Sequence, residues 1–262
     1  MNKTLLTGIL IIAVFSIIAI FAPILSPYDP SQIDGASLLM PPSGKHLLGT
    51  DSLGRDILSR MIYGARISLS IGLIAVGIAT SIGLILGSLA GFYGGFIDSL
   101  IMRFVDVMLC FPTFFLILAV VAILEPSIFN IMAIIGLTSW MGPARLIRGE
   151  ILSLKEREFI QAERAIGASN FRIISRHLVP NAIGPVLVNA TLGIAAAILV
   201  ESGLSFLGLG VQPPVSSWGN ILIEAKSTLG IAWWITIFPG LAILITILAF
   251  NFIAEGLKEK IR

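Results

Sequence analysis

Charge is what this sequence has least of. Of 262 residues only 12% are charged, against about 25% in an ordinary soluble domain. The net charge of +2 is small, so a nucleic-acid reading has no support; a polyanion binder would need a concentrated basic face. Cys110 is the one cysteine, which rules out a disulfide framework. His46 and His177 are the two histidines and lie far apart, so no metal-ligand cluster is suggested. A phosphate loop is missing too. Gly44-Lys45 runs into His46 and has no glycine five residues before Gly44. What is abundant is apolar residue: 56% of the chain, with a mean hydropathy of +0.98. The chain is therefore expected to live in a membrane.

Six stretches are long and apolar enough to cross the hydrocarbon core: 5–25, 67–90, 107–124, 127–144, 182–200 and 229–254. All must be helical, because lipid offers no partner to a free backbone group. The first reads as a retained helix rather than a cleaved signal, since Pro23 directly follows the candidate site at Ala22. Six crossings put both termini on one side. With the termini inside, the inner segments carry twelve Lys/Arg, from Lys3 to Arg262, against five outside. The positive-inside rule therefore places both termini in the cytoplasm.

Two organisational units follow. Residues 1–66 hold the first helix, a proline-rich outer segment and an amphipathic stretch from Arg55, expected to lie as a short helix in the interface. Residues 67–262 hold five helices and a polar insertion at 145–181. In the second span Gly83, Gly87 and Gly91 share one face, which suits close approach of another helix. Residues 207–228, rich in Gly and Pro, read as an irregular loop.

The insertion 145–181 carries most of the inner positive charge. A helix is expected over 150–166, with Ile151, Leu154, Phe159, Ala162 and Ile166 on its apolar stripe. Gly167 is placed to end it. Ser169 is placed to cap a second short helix that stops before Pro180. Such a hairpin must bury its stripe, and another protein is the expected cover.

Gln161-Ala162-Glu163-Arg164-Ala165-Ile166-Gly167, followed by His177-Leu178-Val179-Pro180, resembles the cytoplasmic loop of ABC importer permeases. The family loop reads Glu-Ala-Ala, three residues, Gly, nine residues, then Ile-x-Leu-Pro. The spacing is kept, while Gln161, Glu163, His177 and Val179 depart from its letters. Two further stretches are similar to the C-type permeases of dipeptide, oligopeptide and nickel importers. One is His46-Leu47-Leu48-Gly49-Thr50-Asp51-Ser52-Leu53-Gly54-Arg55-Asp56 with Ser59-Arg60 and Gly64-Ala65-Arg66. The other is Leu204-Ser205-Phe206-Leu207-Gly208-Leu209-Gly210 with Pro213-Pro214 and Trp218-Gly219.

The resemblance implies an all-α, six-helix permease of the type I (MetI-like) importer fold in a prokaryotic cytoplasmic membrane. Its implied partners are a homologous second permease, two cytoplasmic ATPases, an extracytoplasmic binding protein and membrane lipid. ATP and Mg would sit on the ATPases, and no cofactor on this chain, which would be non-catalytic. ATPase coupling would fall on Gln161, Ala162, Glu163, Ala165, Gly167, Ala168 and Pro180. Peptides are the first expectation for substrate, with nickel or a metal chelate second; oligosaccharides are handled by relatives as well.

Single residues invite further readings. Glu201, with Ser205 near it, is either a pathway or outer-gate group, or a carboxylate at headgroup depth or paired with Arg55 or Arg66. Asp51, Gly54, Arg55 and Asp56 either touch the binding protein or form a structural network. Trp218, Trp233 and Trp234 read as interface anchors, Cys110 as a small buried side chain. Asp98, Arg103 and Asp106 read as solvated or paired, supporting the hairpin. A membrane serine hydrolase built on Gly203-Leu204-Ser205 lacks a histidine within a span. A secondary transporter working alone would need ionisable groups at midplane and would leave the hairpin without a purpose.

Overall fold

A computed structural model describes residues 3–125 and 127–261; Arg262, counted above among the inner charges, lies outside them. Among the described residues the chain is helical without strands, its one bridge joining Thr50 and Asp56. Helix α1 (Lys3–Ile20) and the single turn α2 (Ala22–Leu25) lead into an extended outer segment. Then come α3 (Ile57–Tyr93), α4 (Gly95–Leu109), α5 (Thr113–Ile123), α6 (Ile128–Ser139) and α7 (Met141–Leu154). Helices α8 (Glu158–Ala165) and α9 (Asn170–Arg172) form the helix–glycine–helix hairpin expected from sequence. A π-helical turn (Ile173–Leu178) joins α9 to α10 (Val179–Phe206), and α11 (Trp218–Thr228) and α12 (Trp233–Ile261) complete the chain. Four helical stretches are long and apolar enough to cross a membrane by themselves, and the bent pair α4–α5 makes a fifth. The twelve-residue α6 is shorter, and Trp140, in right-handed helical conformation, hands it on to α7.

Helix α3 is the centre of the bundle. It lies along α7, α6 and α10, with α1 against its flank. The glycine face predicted from sequence is what brings α7 close. A Cβ on Gly83 would sit 2.6 Å from Pro143 Cβ, on Gly87 2.5 Å from the Ala144 carbonyl oxygen, and on Gly91 2.9 Å from the Arg148 carbonyl oxygen. Beyond α3, the core runs through Ile71, Ala75, Ile117, Ile131, Ile135, Ala197 and Leu204. Helix α1 packs on α12. Elsewhere the surface is heavily apolar: Leu10, Ile17, Leu73, Ile85 and Leu199 are all exposed.

Several expectations are corrected. The interfacial helix at Arg55 is instead the opening of α3, continuous with the second span. Asp56 caps it, its carboxylate accepting the Ser59 N–H at 2.8 Å. Its charged face turns inward as well as its apolar one: Arg55 and Arg60 are buried along with Ile57. The third span is not one straight helix over 107–124. Its helices meet at 82° where Phe111 precedes Pro112, a pairing that disfavours helical backbone at the first residue. Residues 207–228 are not all loop. Ser217 and Asn220 form a reciprocal capping box that starts α11, a signal present in the sequence and not read.

The helix expected over 150–166 breaks at 155–157, which resets the phase of its stripe. Ile160 becomes the buried residue, while Phe159 and Ile166 are exposed. The second hairpin helix does not stop before Pro180. The π turn, in which the Val179 N–H reaches back to the Ile174 carbonyl, carries it on into α10. Trp218 and Trp234 are not interface anchors. Both are buried, and their indole N–H groups donate to the carbonyls of Met61 (3.1 Å) and Thr50 (3.0 Å). Only Trp233 is exposed among the three. Cys110 is exposed rather than buried.

Gly87→Val forces a methyl against a backbone oxygen that has nowhere to go. We expect it to destabilise the bundle by roughly 1–3 kcal/mol in an SDS titration. Gly77→Ala, where a Cβ meets nothing within 4 Å, is expected to be neutral or slightly stabilising. Equal behaviour of the two variants would refute the close-packing account.

Candidate functional site

The outer signature folds into a charge cluster. Gly49 and Gly54 have positive φ, 80° and 77°. A Cβ on Gly54 would stand 1.9 Å from the Asp34 carbonyl oxygen. These turns present Asp51 inward. One of its oxygens accepts the N–H groups of Leu53 (2.8 Å) and Arg55 (2.9 Å). The other accepts Arg55 Nε at 2.7 Å and Arg60 Nη1 at 2.5 Å. From α11, Glu224 Oε1 bonds Arg55 Nη2 and Arg60 Nη1, each at 2.6 Å. Two carboxylates and two guanidiniums thus compensate one another in the interior, as buried charges must. Arg55 and Asp51 therefore belong to the structural network foreseen as one of two readings. Glu224 was missed. It is the one carboxylate in 207–228, and nothing in the local sequence pattern pointed from it to the arginines of the outer segment.

Asp56 stands apart from this cluster. Besides capping α3 it pairs with His46 Nδ1 at 2.9 Å, and the His46 ring lies against Tyr28 with centroids 5.0 Å apart. The two carboxylates of the signature hold different things: Asp51 joins the outer segment to α11, Asp56 folds it onto the start of α3.

Glu201 lies in the last turns of α10 and is 0% exposed. Its Oε1 accepts the hydroxyls of Ser205 and Ser217, both at 2.7 Å. Ser205 Oγ in turn accepts the Val211 N–H at 3.0 Å, and Ser217 Oγ accepts the Asn220 N–H at 3.1 Å. Neither an arginine nor an open surface reaches the carboxylate. The group is a knot tying α10 to the 207–217 turn and α11. Gly210 and Gly219 permit it, since a Cβ on Gly219 would stand 2.6 Å from Ser202 Cα.

At the opposite end, Gln161, Ala162, Glu163 and Ala165 lie on α8, Gly167 and Ala168 form the turn after it, and Pro180 stands apart at the start of α10. Gly167 has φ 80° and open space where a Cβ would be, so its conformation, not crowding, calls for glycine. Ser169 caps α9 as expected, and Glu163 approaches His177 at 3.5 Å. The inner face is covered by the chain's own bundle end rather than by another protein. Ile160 packs with Ile147, Ile151, Ile173, Leu178 and Ala182. The outer face is left bare, with Phe159 41%, Ile166 79% and Phe171 80% exposed. Ion pairs fix the hairpin's root. Arg148 grips Asp98 through Nε and Nη2 (2.5 and 2.6 Å), Arg145 pairs with Asp106, and Lys155 donates to the Gly91 carbonyl at 3.2 Å. The carboxylate beside Arg148 holds its guanidinium above the usual range.

With this geometry in hand, comparison with known proteins decides the family. The family described as binding-protein-dependent transport system inner membrane component matches residues 83–262. The chain belongs to that family. Its first 42 residues match the N-terminal transmembrane domain of oligopeptide transport permease C. The permease is 44% identical over 258 residues to a dipeptide transport system permease protein of Alkalihalophilus pseudofirmus, covering 98% of this chain and 85% of the relative. A di/tripeptide transport system permease protein of Pseudomonas aeruginosa is 43% identical over 264 residues, 98% of this chain and 87% of its own length. An oligopeptide transport system permease protein of Bacillus subtilis is 39% identical over 258 residues, with 98% and 85% coverage. Among solved structures, the inward-facing MetNI methionine ABC transporter superposes with a TM-score of 0.60 at 17% identity, over 79% of this chain and 98% of that one. The likeness establishes the MetI-like fold for this multi-pass membrane permease.

Asp51→Asn leaves two buried guanidiniums sharing Glu224. We expect it to destabilise the permease by roughly 3–5 kcal/mol, whereas Arg145→Ala, which breaks a pair at the surface, is expected to cost less than about 1 kcal/mol. SDS titration of both variants in one detergent checks the ranking, and a reversed order would contradict the buried-network account. Glu201→Leu strands the Ser205 and Ser217 hydroxyls without an acceptor, and a loss of about 1–3 kcal/mol is expected in the same titration. Glu201→Gln, which keeps an acceptor oxygen, is expected to lose less.

Proposed function

We propose that this permease forms one half of the translocation pathway of an ATP-driven importer of di- or oligopeptides, and that its hairpin tip seats in a cytoplasmic ATPase. The similarity to the three peptide permeases, end to end along the chain, carries the substrate class. None of the three carries a metal by its printed name, so the nickel reading is not favoured. The bare outer face of the hairpin supports the docking. Phe159, Ile166 and Phe171 are exposed on the segment on either side of Gly167, and large apolar side chains left bare in this way mark an interaction site. A homologous permease would complete the pathway. Two ATPases would hold ATP and Mg, and a binding protein would deliver peptide at the outer face, where the Asp51 cluster and the α10–α11 turn lie. Both termini and the hairpin are then cytoplasmic, in agreement with the distribution of Lys and Arg.

The coupling follows from how the hairpin is rooted. ATPase closure would push on the α8–α9 tip. The Arg148–Asp98 pair and the glycine contact with α7 would pass that push to α4 and α3, and the π turn would pass it directly into α10. Rigid elements with two arrangements are what such a transition requires.

Gentle purification from the native membrane tests the assembly. Recovery with a second permease and ATPase subunits is expected, and recovery of an active chain alone would sink it. Gly167→Pro tests the coupling. Proline cannot adopt the positive φ of this position, so the variant is expected to insert and assemble while ATP hydrolysis no longer drives uptake. Unchanged peptide uptake would refute the assignment.

A further inference from the structure

Polar side chains on apolar helices usually satisfy themselves within their own helix, because a free hydroxyl or amide in lipid is costly. In this permease Thr138, Thr191, Ser202 and Asn251 each donate to the carbonyl four residues earlier, at 2.7–2.9 Å. Thr80 on α3, Ser139 on α6 and Asn189 on α10 do not. Among the described residues their side chains have no hydrogen-bond partner, although all three are partly buried. They come from three different helices and line the same half-open cleft of about 310 Å³. The rest of its wall is apolar, mixing small residues such as Ala75, Ala79 and Gly193 with the larger Val76, Ile135 and Leu192, and no charged side chain lines it.

From this convergence we propose that the cleft between α3, α6 and α10 is a water-filled subsite for the peptide backbone, with Thr80, Ser139 and Asn189 as its hydrogen-bonding groups. The inference rests on the peptide-importer reading above. The chemistry selects the backbone rather than the side chains. A carboxamide and two hydroxyls donate and accept alike, which matches the alternating N–H and C=O of an extended peptide. An uncharged wall does not discriminate among acidic, basic and neutral peptides. The alanines and Gly193 leave room on part of the wall, and the larger apolar residues offer no polar group that would select one side chain. The contacts are few and neutral, as a transport site requires: strong enough to replace water on entry, weak enough to release.

Two readouts test the proposal on the assembled transporter in proteoliposomes. In a Cys110→Ser background, Thr80→Cys, Ser139→Cys and Asn189→Cys are each treated with a charged, membrane-impermeant methanethiosulfonate. Leu10→Cys on the outside of α1 serves as the lipid-facing control. Labelling of the three cleft positions and not of position 10 is expected. No labelling at the cleft means a dry cleft, sealed by the partner permease or by lipid, and overturns the proposal. Separately, the triple variant Thr80→Val, Ser139→Ala, Asn189→Leu is assayed for uptake of radiolabelled trialanine, with assembly verified by co-purification. A loss of at least ten-fold is expected. Unchanged uptake with a labelled cleft overturns the backbone subsite. If the unsubstituted transporter takes up neither alanylalanine nor trialanine, the peptide reading fails and the proposed ligand with it, whereas labelling still decides whether the cleft is wet.

Discussion

The approach of α3 to α7 is the contact on which the remaining architecture depends. In a bilayer no hydrophobic force draws one apolar helix to another, because lipid chains are as apolar as leucine. Association has to come from dense packing and polar pairing. Gly83, Gly87 and Gly91 provide the first by letting α7 lie directly on the α3 backbone. Arg148–Asp98 and Lys155–Gly91 provide the second at the same seam. The whole hairpin end hangs from it: α7 leads into the hairpin, and the hairpin into α10. Replacing the glycines by larger residues would not merely open a gap but move the hairpin tip.

At the outer end, position is fixed by polar groups instead of close packing. Two separate devices hold the segments that follow α1 and α10. The Asp51–Arg55–Arg60–Glu224 cluster clamps α11 against the root of α3, and Glu201 with its serines ties the same helix to α10. Both converge on α11, an element of only eleven residues. Two independent polar anchors on so short a helix make it part of the wall rather than a mobile loop.

How much of this was legible beforehand depended on whether a feature was local. The membrane class, the glycine face and the turn at Gly167 follow from short-range pattern, whereas Asp98 and Asp106 were readable only as solvated or paired, and their partners Arg148 and Arg145 lie 50 and 39 residues away. The break at 155–157 was not legible, because a three-residue interruption leaves helical periodicity nearly intact while rotating everything after it. Phe159 and Ile166 therefore looked buried and Ile160 did not. Arg60 and Glu224 are 164 positions apart, and only the fold brings them together. The amphipathic opening of α3 was read as facing a membrane surface when it faces protein, since periodicity reports a face and not its neighbour. For Glu201 the sequence showed a carboxylate near the end of an apolar run. It could not show that two hydroxyls from either side of a turn would enclose it.

The π-helical turn has a mechanical consequence. By admitting Pro180 without ending the helix, it makes 170–206 a single helical stretch of 37 residues, about 55 Å long. A rod of that length is a lever: a tilt of about 5° at one end displaces the other by roughly 5 Å. Its short arm begins at the bare apolar tip and its far end carries the serine-bound carboxylate. A shift of the hairpin tip and a shift of the turn that Glu201 holds are then the two ends of one helical stretch.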